Sequence, residues 1–84
     1  MPYIKKEERA KFKGALESIR FIQNAGNLNY IITCACQLYL FEKGESYQTH
    51  NDIRGALENC ASEWYRRKVV NLEEKKIKEN GDVY

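Results

Sequence analysis

The chain has 84 residues, a formal net charge of +2 and 43% hydrophobic residues. That length holds one domain with a marginal core, because a small domain buries a modest fraction of its surface. The 14 Lys and Arg are nearly matched by 12 Asp and Glu, which argues against nucleic-acid binding through bulk charge.

One helical domain over residues 1–84 is expected. The single proline is Pro2, and strand-like alternation is absent. The start, MPYIKKEERAKF, is charged and lacks an apolar run. The first helix is predicted from about Lys5 to Asn24, with Phe12, Ala15, Leu16, Ile19 and Ile22 on one face. Gly26 is expected to end it with positive φ. The second helix is predicted from Asn27, as N-cap, to about Lys43-Gly44. Its core face holds Leu28, Ile31, Ile32, Ala35 and Tyr39. The third begins at Thr49, where Thr49 and Asp52 resemble a capping box, and runs to a C-cap at Asn80-Gly81. Unbroken, it has about 30 residues and a length of about 45 Å. That is too long for a compact bundle of such helices, so part of it must project, kink or pack on another chain.

Within the third helix, Ile53, Leu57, Cys60 and Trp64 form one stripe. Continued at 3.6 residues per turn, that stripe reaches Arg67 and Lys68. Tyr65, Val69 and Leu72 start a second stripe, rotated by about 120°. The helix is therefore expected to change its buried face near Trp64. Tyr30, Cys34 and Phe41 lie off the core face of the second helix, and Phe21 lies opposite Leu16 and Ile19. A three-helix domain cannot bury all of these alone, which points to a homo-oligomer.

The remaining motifs argue against an enzyme. Cys34 and Cys36 sit two apart on a helix and diverge, and no second ligand pair follows, so no metal and no cofactor is expected. With Cys60 the thiols are odd in number, which suits a reduced, cytoplasmic protein. No stretch approaches the roughly 20 apolar residues of a membrane span. A catalytic His50 would need a nucleophile or carboxylate in reach, and Asp52, two residues on, points elsewhere, so a surface or capping role is expected. Glu58, Glu63 and Glu73 read as solvent-facing charges.

Arginines carry what chemistry there is. Arg67 continues the core stripe, so its guanidinium needs an anion, a carbonyl array or an aromatic face. Within protein, that partner is Glu17 or a glutamate of a second subunit; otherwise it is a ligand phosphate, with Trp64, Tyr65 or Tyr30 stacking on a base. Arg66 points to nearly the opposite side, and Arg54 lies one stretch earlier. Asn27, Asn29 and Thr33 add donors and acceptors at the start of the second helix, where the dipole also favours anions. For Asn27 alone, capping is the better reading. The candidate ligand-binding residues are thus Arg67, Tyr65, Arg66, Tyr30, Asn27, Thr33 and Arg54. The tail Gly81-Asp82-Val83-Tyr84 is expected to be ordered by contact.

The segments MPYI, LNYIIT (28–33), GALE (55–58), EWYRR (63–67) and KKIKENGDVY (75–84) resemble a short family found in tailed phages, prophages and bacteria. The family is a domain of unknown function, and the resemblance spans nearly the whole chain. It implies a small stand-alone phage-type protein, working in the host cytoplasm if phage-encoded. Members often carry a proline near the position of Asn71, which this chain lacks. Phage proteins of this size often bind and block. One such class is the anti-defence sponge, a small oligomer that sequesters cyclic nucleotide immune signals with paired arginines and aromatics. That is the leading functional expectation. A protein-protein inhibitor or adaptor docking Phe21 and the Tyr65-Val69-Leu72 strip is the alternative.

Overall fold

The structure is a computed structural model that describes residues 3–84. Pro2 lies outside the described residues. All regular structure among them is helical, as expected, and the chain divides into two units, Met1–Ala35 and Cys36–Tyr84. No helix among the described residues is long and apolar enough to cross a membrane.

The first unit opens with a 3-10 helix, Lys6–Phe12, that runs into α1 (Lys13–Ser18). Seven residues is long for a 3-10 segment. Its charges favour it: Glu7 and Glu8 lie in the first turn and Arg9 and Lys11 in the last. α1 stops at Ser18, short of the expected Asn24. Ser18 Oγ donates to Gly14 O at 3.0 Å, a back-bond that competes with helix propagation. Ile19 N–H then closes on Leu16 O, three residues back, at 3.4 Å.

α2 spans Ala25–Lys43. Its start corrects two expectations. Asn24, not Asn27, is the cap, since its Oδ1 accepts from Asn27 N–H at 2.9 Å. Asn27 Oδ1 in turn accepts from Gln23 N–H at 3.1 Å, so the two amides close the helix start reciprocally. Gly26 lies inside α2, and the positive-φ glycines are Gly44 and Gly81.

In the second unit, the end of α2 turns at Gly44 (φ +80°), whose N–H reaches Leu40 O at 2.8 Å. α3 (Tyr47–Trp64) is capped by Ser46, not by Thr49. Ser46 Oγ accepts from Thr49 N–H at 3.1 Å, and the two hydroxyls lie 3.1 Å apart. Thr49 is buried by this arrangement, at 5% exposure. Asp52 is left to join the two helices. It accepts from Tyr39 Oη at 2.8 Å and from Gln48 Nε2 at 2.7 Å. These bonds hold the Asp52 carboxyl below its ordinary pKa and push the Tyr39 phenol up. The helix continues through a π-helical stretch, Tyr65–Val69, into α4 (Val70–Asn80). Together they make 34 helical residues, about 51 Å at 1.5 Å each. Gly81 ends α4 as expected, with φ +82° and its N–H on Ile77 O at 2.8 Å.

No apolar residue among those described is buried. Leu28, Ile32, Tyr39, Leu57 and Trp64, all expected core residues, stay exposed. The reason is size. The first unit falls below the roughly 40 residues at which a chain usually needs help to fold alone, and in the second the end of α2 meets α3 through the Tyr39–Asp52 bond without enclosing an interior.

The hairpin turn depends on its cap. Ser46→Ala should cost about 1 kcal/mol in urea unfolding, as loss of an N-cap oxygen does. Thr49→Val, which keeps the volume and the backbone bond to Ser46, should cost less.

Candidate functional site

The quoted candidates fall into two groups, one in each unit. The first group lies on the π-helical stretch. In it, Val70 N–H bonds to Tyr65 O, five residues back rather than four. One extra residue per turn rotates everything downstream by about 100°. The widened turn thus offsets most of the roughly 120° by which a regular α-helix would set Val69 and Leu72 apart from Trp64, so the expected change of face is largely undone and the apolar stripe runs on from Trp64 to Val69 and Leu72. The turn is also held from the side: Asn71 Nδ2 donates to Arg67 O at 2.8 Å, giving a carbonyl of the widened turn a donor. The helix runs through Asn71 without a break.

Arg66 and Arg67 do not diverge. Both grip Glu63. Arg67 Nε donates to Glu63 Oε2 at 2.7 Å, and Arg66 Nη2 donates to Oε2 at 2.8 Å and Oε1 at 3.1 Å. The carboxylate stands three and four residues ahead of them, the spacing at which helix side chains meet. Arg67, then Arg66, hold the Glu63 carboxyl at a pKa of about 2. Glu63 is 28% exposed, while Arg66 and Arg67 remain 63% and 57% exposed. Two guanidiniums are therefore fixed side by side, with more charge than one carboxylate cancels and with N–H groups still facing outward.

Tyr65 and Arg54 stand apart from this pair. Tyr65 Oη donates to Glu73 Oε1 at 3.1 Å, which raises the phenol pKa. Arg54 makes a long, exposed contact with Glu58 at 3.5 Å, which contributes little.

The second group lies in the first unit. Asn27 and Tyr30 line a cleft of about 340 Å³ with Ser18, Ile19, Phe21, Ile22 and Ile31. Thr33 is not among its lining residues. A side-chain hydrogen bond with Cys34 raises the Tyr30 phenol pKa. Asn27 is engaged in closing the start of α2, as its capping reading holds. The cleft offers two aromatic surfaces and an apolar floor, which suits a flat ring better than a charged group.

Elsewhere, His50 Nε2 lies 3.1 Å from Glu45 Oε2 on the exposed turn. The three cysteines are free thiols. Among the described residues the tail makes a local bond, Tyr84 N–H on Asp82 Oδ1 at 2.8 Å, and Val83 is 92% exposed.

Glu63 was the residue that spacing alone left among the solvent-facing charges. The signal was present, since a glutamate N-terminal to arginine at i,i+4 is the favourable order.

Glu63 also sets a pH dependence. Its folded-state pKa of about 2 is below its ordinary value of 4.5, so its contribution is complete above pH 4.5 and is lost as pH falls towards 2. An acid titration of the thermal midpoint should show this loss in the parent chain. Glu63→Gln should lack that component. Identical acid profiles for both chains would contradict the assignment.

Comparison with curated proteins and with solved structures gives no match. A family model does match, over residues 1–83. The helical chain with its paired arginines belongs to the family described as Domain of unknown function (DUF6899).

Proposed function

We propose that this chain is a non-catalytic binding protein that works as a homo-oligomer and takes a nucleotide-type anion on Arg66 and Arg67. The observation that supports this is the shared carboxylate. Glu63 orients two half-exposed guanidiniums at 2.7–3.1 Å on a π-helical turn. Preorganised arginines lose less freedom on gripping a phosphate than flexible ones do. π-Helical turns are also frequent at functional sites.

A symmetric assembly would present such pairs in symmetric sets. A twofold set matches a ligand with two phosphates, such as a cyclic dinucleotide. The specific form of the proposal is a phage-type sponge in the host cytoplasm, which sequesters cyclic nucleotide immune signals.

A second reading rests on different residues. Phe21 is 79% exposed, and Tyr65 and Leu72 are exposed on one strip. Those surfaces suit an inhibitor or adaptor that docks on a host or phage protein.

A thermal-shift screen of cyclic and linear nucleotides on the purified protein separates the two. A tight ligand raises the melting temperature by mass action. Arg67→Ala should then weaken that ligand by about tenfold or more, the scale of one charge-assisted pair. Arg67→Lys should recover part of the loss. No shift with any nucleotide would remove the anion-binding proposal and leave the docking reading.

A further inference from the structure

The face of the long helix that carries Tyr65, Val69 and Leu72 continues through Glu73, Lys76 and Ile77. Tyr65 reaches Glu73 at 3.1 Å across two turns, which fixes both on one side. Leu72 is 55% and Ile77 45% exposed, so this face lacks a cover among the described residues. It is not uniformly apolar. An anion, Glu73, and a cation, Lys76, sit three residues apart at its middle. The contact of Lys76 with Glu79 is 3.4 Å long and exposed on both sides, and it competes weakly.

We propose that the cover is the same face of a second copy, with the two helices antiparallel about a twofold axis between Glu74 and Lys75. This rests on the homo-oligomer reading above and gives it a geometry. The charges select the orientation. In a parallel pair, twofold symmetry would set Glu73 against Glu73 and Lys76 against Lys76, two repulsive contacts. In the antiparallel pair, each Glu73 stands level with Lys76 of the partner subunit, giving two attractive contacts. Leu72 then flanks the seam on one side with the partner's Leu72, and Ile77 flanks the other with the partner's Ile77. Val69 stands level with Asn80 of the partner subunit. Polar residues within such a seam fix register and direction more than they add strength. The interface is isologous, so it closes on itself. It also carries the segment after Gly81 alongside the partner's Tyr65–Lys68 stretch, which offers the exposed Val83 a surface.

Charge exchange tests the pairing by analytical ultracentrifugation at low salt. Glu73→Lys and Lys76→Glu should each weaken self-association by about tenfold, as two opposite-charge contacts become two like-charge ones. The double variant Glu73→Lys/Lys76→Glu restores opposite charges across the axis and should return association to near the parent value. An equimolar mixture of the two single variants should form mixed pairs. The Tyr65 contact is lost in Glu73→Lys and in the double variant alike, so rescue reports the intersubunit pair and not the fold. If the parent chain associates but the variants do so equally well, or if the double variant is not rescued, this geometry is wrong while the oligomer stands. If the parent chain is a 9.9 kDa monomer, the homo-oligomer reading fails with it.

Discussion

Burial of apolar surface is the constraint on which everything else in this protein depends. Folding a helix orders its residues at a cost of about 1–2 kcal/mol each in backbone entropy, and apolar burial is the main term that offsets it. Here the chain buries no apolar side chain among its described residues, although 43% of its sequence is hydrophobic. The local interactions are well made: caps at Asn24 and Ser46, a glycine stop at Gly81, and the Tyr39-Asp52 bond between α2 and α3. Caps and exposed hydrogen bonds are each worth about 1 kcal/mol and cannot replace a core. We propose that the stability of the folded chain comes from a surface outside it, that of another copy.

The same constraint accounts for the π-helical stretch. A regular helix of this length would carry the Ile53-Leu57-Cys60-Trp64 stripe straight into Arg67 and Lys68. Widening one turn at Tyr65–Val69 brings Val69 and Leu72 back towards the line of that stripe. Arg66 and Arg67 lie within this turn and meet on Glu63 at ordinary i,i+3 and i,i+4 spacing. One backbone irregularity thus keeps an apolar stripe running past the cation pair. Asn71 Nδ2 supports Arg67 O, a carbonyl within the widened turn.

Much of the fold was legible in the sequence because helical periodicity is a strong local signal. The all-helical class, the turn at Gly44, the long last helix and its stop at Gly81 all follow from residue order. The shift between stripes at Trp64 was legible, but the π-helical turn that offsets it was not, since a stripe records direction and not hydrogen bonding. Helix starts were harder. Asn24 and Asn27 are both good caps, as are Ser46 and Thr49, and only geometry decides which one stands at the first turn. The early end of α1 turned on a single hydroxyl, Ser18, that a helical wheel treats as neutral. For the candidate site, Arg67 was legible as a cation on a core stripe. Its partner was sought in Glu17 or another subunit because an ideal wheel separates Arg66 from Arg67; the two side chains are long enough to meet on Glu63.

The central claim is that folding and association are one event. It is tested most directly by urea unfolding of the parent chain, followed by circular dichroism, over a hundredfold range of protein concentration. For a chain without a stable folded monomer, the midpoint must rise with concentration, because association draws on the folded state alone. A midpoint that stays constant across the range, with full helicity retained at the lowest concentration, would show that the single chain holds itself together and would contradict the account.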